Sequence, residues 1–212
     1  IKTLRGHDHN VSSVLFMPNL LPNSLEEHLL SCSRDQTIKL WEIATGFCLH
    51  TFTGHDSWVR TISITSDGKL IASGGNDNTI ILFESDGGRK RGLTLRGHEH
   101  VIESLAFSPI AITSIESNSN VSPDAPPPAP AVNSFYLLAS GSRDKTVRLW
   151  NSLTGVQLHV FTDHDNWVRS ISFHRSSNYI FSVSDDRSLK VFDIKNKRCL
   201  RSFNEAGGHF IQ

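Results

Sequence analysis

Serine, histidine and aspartate recur together four times in this 212-residue sequence, and these are the side chains of a hydrolase catalytic triad. In each copy the serine stands four residues before the aspartate, and an aromatic residue stands six after it. The four polar sets are His7, Ser31, Asp35 and Trp41; His55, Ser73, Asp77 and Phe83; His98, Ser140, Asp144 and Trp150; and His164, Ser182, Asp186 and Phe192. A triad works as one preorganised set beside an oxyanion hole, and no nucleophile elbow accompanies any copy. The repetition therefore favours a structural role, and we predict no catalytic residue and no enzyme.

The elements that carry each polar set are two short strands joined by a tight turn at the aspartate, as in residues 140–150 (S-G-S-R-D-K-T-V-R-L-W). Four copies in register make an internal repeat. Apolar residues seven and nine positions after each histidine, such as Ile62 and Ile64, predict a further strand with one core-facing side. The same spacing predicts that Val14 and Phe16 face a core. We expect an all-β protein whose repeats lie at about residues 1–47, 48–90, 91–156 and 157–203.

Residues 109–133 lengthen the third repeat and are rich in serine, asparagine and proline, including Pro126, Pro127 and Pro128. Proline has no N–H for a strand ladder, and so polar a stretch buries little apolar area. We therefore expect a disordered insertion between two strands. The alternative is a proline-rich ligand for a partner protein.

Composition excludes several classes of protein. Lys+Arg and Asp+Glu both number 21, so the formal net charge is zero and we predict no nucleic-acid partner. No apolar run approaches the roughly 20 residues of a membrane helix, so we predict no membrane span. Cys32, Cys48 and Cys199 are scattered and form no C-x-x-C pair, which indicates a reducing compartment and no metal site. Residues 87–92 (G-G-R-K-R-G) lack the Walker spacing and favour a charged hairpin turn, so we predict no cofactor.

The repeat length, the recurring Gly-His and the strand-turn-strand that ends on Trp or Phe resemble the WD-repeat family of β-propellers. The resemblance covers essentially the whole chain. It implies four-stranded blades around a central channel, with this chain forming about four blades of a seven-bladed ring. It also implies that each polar set is a buried chain of hydrogen bonds from the Trp indole through Ser and His to Asp. Phe83 and Phe192 have no N–H, so two of the sets should lose one link.

Within that family, residues 6–14, 140–146 and 164–169 resemble the lissencephaly family. This resemblance implies a non-enzymatic scaffold that binds the cytoplasmic dynein motor domain, other dynein cofactors and the catalytic subunits of platelet-activating-factor acetylhydrolase. The implied setting is the cytoplasm, cytoskeleton and centrosome, in microtubule-based transport, nuclear migration and mitosis. Members of the family form homodimers through an N-terminal LisH and coiled-coil region, which this chain is expected to lack.

Arginine and tryptophan, which are enriched in protein interfaces, cluster near the turns of the repeats. Arg34 and Arg143 immediately precede a turn aspartate, and Trp167 follows a polar-set histidine by three residues. The predicted partner-binding residues are Arg60, Arg143, Trp167, Arg187, Arg34, Trp58 and Arg169. The resemblance places the first four on the face that meets dynein, with Arg187 standing where the family has lysine. We predict that Arg143 and Trp167 anchor the partner.

The alternative function is a generic WD-repeat adaptor, such as the substrate receptor of a ubiquitin ligase. An F-box upstream of Ile1 would favour the adaptor, whereas a LisH motif and coiled coil would favour dynein. Four blades alone leave two blade faces without a neighbour. We therefore expect residues 1–212 to aggregate or partly unfold when they are expressed alone.

Overall fold

The computed structural model describes residues 3–18, 27–85, 90–116 and 131–204, and all regular structure in these segments is β-strand. None of them forms a helix long and apolar enough to cross a membrane. Antiparallel pairing joins the strands into four four-stranded sheets and one hairpin. The predicted all-β architecture is therefore confirmed.

The strands of each sheet follow one another along the chain, apart from the hairpin that interrupts the third sheet. The first sheet contains β1 (Val11–Phe16), β2 (His28–Ser33), β3 (Ile38–Glu42) and β4 (Cys48–Phe52). The second contains β5 (Val59–Ile64), β6 (Leu70–Gly75), β7 (Ile80–Glu84) and β8 (Lys90–Leu95). The third contains β9 (Ile102–Phe107), β12 (Leu137–Ser142), β13 (Val147–Asn151) and β14 (Gln157–Phe161), and the hairpin contains β10 (Ile112–Glu116) and β11 (Ala131–Phe135). The fourth contains β15 (Val168–Phe173), β16 (Tyr179–Ser184), β17 (Ser188–Asp193) and β18 (Arg198–Asn204).

The hydrophobic core lies between successive sheets, and the innermost strands β1, β5, β9 and β15 lie side by side in that order. The first interface packs Leu30, Ile38, Leu40 and Phe52 against Val59, Ile62, Ile71, Ile81 and Phe83. The second packs Leu70, Ile80, Leu82 and Leu95 against Ile102, Leu105, Phe107, Leu138 and Trp150. The third packs Leu137, Val147, Leu149 and Phe161 against Val168, Ile171, Ile180 and Phe192. Because each sheet buries apolar area only against its neighbours, the sheets depend on one another for stability.

The prediction that Val14 and Phe16 face a core is wrong, since their exposed fractions are 58% and 67%. At the same repeat position Ile62 packs against the first sheet, and Leu105 packs against the second. This position therefore faces the preceding sheet, and the described residues contain no sheet before the first. The other side of β1 contributes Leu15 to the core instead.

The insertion in the third repeat also differs from expectation at both ends. Residues 112–116 pair with residues 131–135 in a regular antiparallel ladder, whereas the whole of 109–133 was predicted to be disordered. The pairing segments carry β-branched Ile, Thr and Val, and the prolines that cannot enter a ladder lie between them. Residues 117–130 lie outside the described part of the chain, as do residues 86–89 of the predicted charged turn.

The base of this hairpin is tied to the sheets on both sides. The Ser66 hydroxyl of the second sheet donates to the Pro109 carbonyl at 3.1 Å and lies 3.1 Å from the Tyr136 hydroxyl. The Ile110 amide donates to the Ser177 hydroxyl of the fourth sheet at 3.3 Å. The insertion therefore leaves the sheets at a fixed point, at the end opposite the aspartate turns.

Burial between sheets predicts different energies for two repeat-related phenylalanines. Phe52 ends β4 with 1% exposure, whereas Phe203 occupies the same position in β18 with 52% exposure. Replacing Phe52 with alanine should lower the free energy of unfolding by about 3–5 kcal/mol, because it leaves a cavity between two sheets. The matched Phe203→Ala change should cost less than about 1 kcal/mol. Equal costs in urea unfolding would contradict this packing.

Candidate functional site

Each polar set forms a chain of hydrogen bonds that joins the loop before the inner strand to the aspartate turn. In the third sheet His98 Nδ1 donates to Asp144 Oδ2 at 2.7 Å, and the Ser140 hydroxyl donates to His98 Nε2 at 2.7 Å. The Trp150 indole N–H donates to the same serine oxygen at 2.8 Å. The His–Asp and His–Ser distances are 2.6–2.7 Å in all four sets. These chains fix the position of each turn relative to its sheet.

The four serines cannot act as nucleophiles in this arrangement. Ser140 and Ser73 are fully buried inside their sheets, so no substrate can reach their oxygens. In the first and third sets the serine oxygen also accepts an indole N–H. Phe83 and Phe192 supply no such donor in the other two, and in the second set the Ser73 hydroxyl lies 3.4 Å from the Ile81 carbonyl oxygen instead. The geometry of a triad thus serves to join strands.

The pKa values of the buried groups show that the polar sets favour a charged aspartate beside a neutral histidine. Burial opposes the charged form of Asp35, but hydrogen bonds from Thr37, His7 and the Asp8 amide outweigh it and lower the pKa of Asp35 to about 2. The pKa of Asp144 is lowered below its ordinary value in the same way, by bonds from His98 and Thr146 that outweigh burial. Burial lowers the pKa of His98, although the nearby Asp144 partly opposes that effect.

A second feature of every sheet is a β-bulge in the inner strand, five residues after the polar-set histidine. In β9, Ile102 pairs with Ser142 and Ser104 with Gly141, which leaves Glu103 without a partner in the ladder. The same bulge occurs in β1, β5 and β15. We call the four unpaired residues the bulge positions, and they are Ser12, Arg60, Glu103 and Arg169. A bulge redirects a side chain out of the ladder, here towards the rim.

Four residues that precede the turn aspartates are pinned beside these bulges. We call them the turn-entry positions, and they are Arg34, Asn76, Arg143 and Asp185. The backbone amide of each donates to the carbonyl of the residue three after the histidine, as Arg143 does to Val101 at 2.9 Å. The residue after the aspartate has positive φ in every turn, including 66° at Arg187. The four turns therefore share one backbone geometry.

Bulge and turn-entry side chains pair within three of the four sheets. Arg60 Nε donates to Asn76 Oδ1 at 2.5 Å in the second sheet. The Arg169 guanidinium donates two hydrogen bonds to the Asp185 carboxylate, at 2.7 and 2.8 Å, and this bidentate pair raises the pKa of Arg169. In the third sheet the order is reversed, since Glu103 stands at the bulge and accepts from Arg143 Nε.

Guanidinium groups also stack on Trp58 and Trp167, and these contacts join neighbouring sheets. Arg34 of the first sheet lies 4.5 Å above the centre of the Trp58 ring in the second. Arg143 of the third sheet lies 4.4 Å from the Trp167 ring of the fourth, which Arg169 also approaches to 4.9 Å. Each such contact is favourable by about 0.5–1 kcal/mol at a partly exposed site. The arginine rim consists of Arg34, Trp58, Arg60, Arg143, Trp167 and Arg169.

The rim brings together six of the seven residues predicted from sequence. Arg187 is exposed on the fourth turn, and within the described residues no hydrogen bond, ion pair or ring contact joins its side chain to the other six. Sequence reasoning missed Glu103, whose signal was its place five residues after His98, where the next repeat has Arg169. In the described segments, no group of three or more His, Cys, Asp and Glu side chains is arranged to hold a metal ion.

The packed sheets and their polar sets define a class of protein. The family described as WD domain, G-beta repeat matches residues 1–42, 46–84, 127–151 and 155–193. The chain therefore belongs to the WD-repeat family, and its four sheets are part of a β-propeller.

Relatives narrow that class to one group of proteins. The chain is 40% identical over 214 residues to "Nuclear distribution protein PAC1" of Coccidioides posadasii, an alignment that covers all of this chain and 44% of the relative. It is 39% identical over 213 residues to "Nuclear distribution protein nudF" of Emericella nidulans and 40% identical over 216 residues to the PAC1 protein of Gibberella zeae, in both cases across all of this chain and 46% of the relative. The chain thus spans less than half the length of these curated relatives.

The hydrogen bonds around Asp144 predict a large loss of stability on Asp144→Asn. The amide keeps the size of the side chain but removes the negative charge that accepts from His98, Thr146 and the Glu99 amide. We expect a loss of about 2–3 kcal/mol in the free energy of unfolding. Asp56→Asn, at an exposed carboxylate, is the control. Equal losses in urea unfolding would show that the polar set is not structural.

The pKa shifts predict destabilisation by acid in two stages. The fold keeps His98 and His164 neutral below their ordinary pKa of 6.5, so the unfolded chain binds more protons and stability falls as the pH drops below that value. Asp35 and Asp186 have pKa values of about 2, so further stability is lost between their ordinary 3.8 and that value. Urea unfolding from about pH 7.5 to about pH 2 tests both stages, and constant stability above about pH 5 would contradict the first.

Proposed function

We propose that this chain is part of a non-enzymatic scaffold that binds the cytoplasmic dynein motor domain through the arginine rim. The observation that carries the proposal is the half-buried stack of Arg143 on Trp167, with Arg169 against the same ring. The resemblance to the lissencephaly family supports it, as does the name of the relatives, nuclear distribution protein, which suits microtubule-based nuclear migration. The buried serines support a role without catalysis.

The rim suits an acidic partner surface. A cleft of about 420 Å³ opens between the first two sheets, lined by Asn10, Val11, Ser12, Arg34, Trp58, Arg60 and Glu103. Arg34 stacks on Trp58 but, among the described residues, has no carboxylate within ion-pair distance, because its sheet carries Ser12 at the bulge. A guanidinium whose central carbon lies over an indole ring can still offer its N–H groups to a carboxylate. An Asp or Glu of the partner would therefore pair with Arg34 in the way that Glu103 pairs with Arg143.

We propose several finer features on the resemblance to the lissencephaly family. The acetylhydrolase catalytic subunits would compete for the arginine rim, and other dynein cofactors would bind the same scaffold. The working locations would be the cytoplasm, the cytoskeleton and the centrosome. The four repeats, at about residues 1–47, 48–90, 91–156 and 157–203, would be blades of a seven-bladed ring, and a LisH and coiled-coil region of the full-length protein would make it a homodimer.

Exposed apolar faces on the two end sheets support the ring. Val14 and Phe16 occupy the position that contacts a preceding sheet elsewhere, and Phe203 the position that contacts a following one. Further blades would cover both faces. A generic ubiquitin-ligase adaptor remains the alternative function, and no feature of the rim favours it over dynein.

The proposal predicts that the double variant Arg143→Ala, Trp167→Ala binds the dynein motor domain at least about 30-fold more weakly than wild type, because interface Arg and Trp side chains each carry about 2 kcal/mol or more. The measurement is the Kd of the full-length protein for purified motor domain by biolayer interferometry. Arg175→Ala is the control, since this exposed arginine lies in the turn between β15 and β16 on the opposite rim. Unchanged affinity of the double variant would refute the proposed face.

A further inference from the structure

Glu103 is the one acidic residue among the bulge positions, and its carboxylate meets guanidinium groups from three successive sheets. It accepts from Arg143 Nε of its own sheet. Arg60 of the second sheet lies 3.6 Å from Glu103 Oε2, and Arg169 of the fourth lies 3.8 Å from Oε1. Only 11% of the Glu103 side chain is exposed. The carboxylate is thus held below the arginines rather than beside them in solvent.

The register of the inner strands explains this convergence. Strand β9 lies between β5 and β15, so its bulge residue, Glu103, lies between the bulge residues Arg60 and Arg169. Because the bulge recurs at one repeat position, the three side chains leave the ladders at the same level. A single carboxylate on the middle strand can therefore reach both neighbours, which an acid on either side strand could not do.

The arginines around this carboxylate carry like charges that repel one another. The pKa of Arg60 is lowered, first by burial and then by the positive charges of Arg143, Arg34 and Arg169, and Glu103 acts against that shift. Without Glu103, repulsion would separate the guanidinium groups, and Arg143 would lose the acceptor that fixes its Nε. The guanidinium whose Nε Glu103 accepts from is the same one that lies 4.4 Å from the centre of the Trp167 ring.

We propose that Glu103 is a positioning residue of the partner-binding face, which holds Arg60, Arg143 and Arg169 in the orientations that a partner recognises. The partner measurement below rests on the proposed binding of dynein, whereas the measurement on the free protein does not. The neutral variant Glu103→Gln separates positioning from simple charge attraction. It raises the net positive charge of the rim by one, so attraction of an acidic partner by charge alone would make binding tighter.

If Glu103 instead positions the arginines, its replacement by glutamine should weaken binding. Full-length Glu103→Gln should bind the dynein motor domain about tenfold more weakly than wild type, within the range of coupling between members of one ion-pair network. Glu99→Gln is the matched control, since it makes the same chemical change at an exposed residue of the third repeat whose side chain is outside the rim. Glu103→Asp, which keeps the charge but shortens its reach, should fall between Gln and wild type. Affinity of the Gln variant equal to or above that of wild type overturns the proposal.

A measurement on the free full-length protein tests the same role without a partner. The arginine-selective reagent phenylglyoxal, followed by peptide mass spectrometry, reports how firmly each guanidinium is held. Arg60, Arg143 and Arg169 should react several-fold faster in Glu103→Gln than in wild type or Glu99→Gln, while Arg175 on the opposite rim should not change. Weaker binding with unchanged reactivity would make Glu103 a direct partner contact and would also overturn the proposal. If wild type does not bind the motor domain, the proposed function fails and the reactivity alone decides the role of Glu103.

Discussion

The hydrogen bond between histidine and aspartate, 2.7 Å long and present in all four sheets, is the interaction on which the rest of the structure depends. It ties the loop that enters the inner strand to the turn between the second and third strands. Because both ends of this bond are buried or nearly so, releasing either one leaves a polar group without a partner. The turn is thereby held against the inner strand, and the residues that flank the aspartate are held at the rim.

The same constraint explains how a repeated framework carries a surface that is not repeated. Bulge and turn-entry positions have the same backbone geometry in each sheet, so their side chains can vary without altering the fold. Reversing donor and acceptor in the third sheet places Glu103 among arginines from both neighbours. Arg34 and Arg143 occupy the same turn-entry position, but only Arg143 has a carboxylate at the bulge of its own sheet, whereas Arg34 borders an open cleft. The side chains of the rim can thus differ from sheet to sheet without any change in the core.

Much of the fold and of the candidate site could be predicted because the sequence repeats. The spacing from histidine to aspartate is 22 residues in the second and fourth copies, and added residues lengthen it to 28 in the first and 46 in the third. The polar sets and the turn arginines therefore stand out in every copy. The repeat also gives the position of Glu103, five residues after His98, but not its place at a bulge, since a β-bulge leaves no mark in the alternation of apolar residues. The exposure of Val14 also escaped prediction, because the spacing identifies the position of a residue in its sheet but not whether another sheet covers it. The hairpin at residues 112–116 and 131–135 was hidden by the prolines between its strands.

A structure of the full-length protein bound to the dynein motor domain, determined by electron cryomicroscopy, tests the central claim most directly. We expect the arginine rim to face the motor, with Arg143 still stacked on Trp167, Glu103 still joined to Arg143, and an acidic side chain of the motor against Arg34. A motor bound instead at the opposite rim, where the hairpin leaves the third sheet, would contradict it.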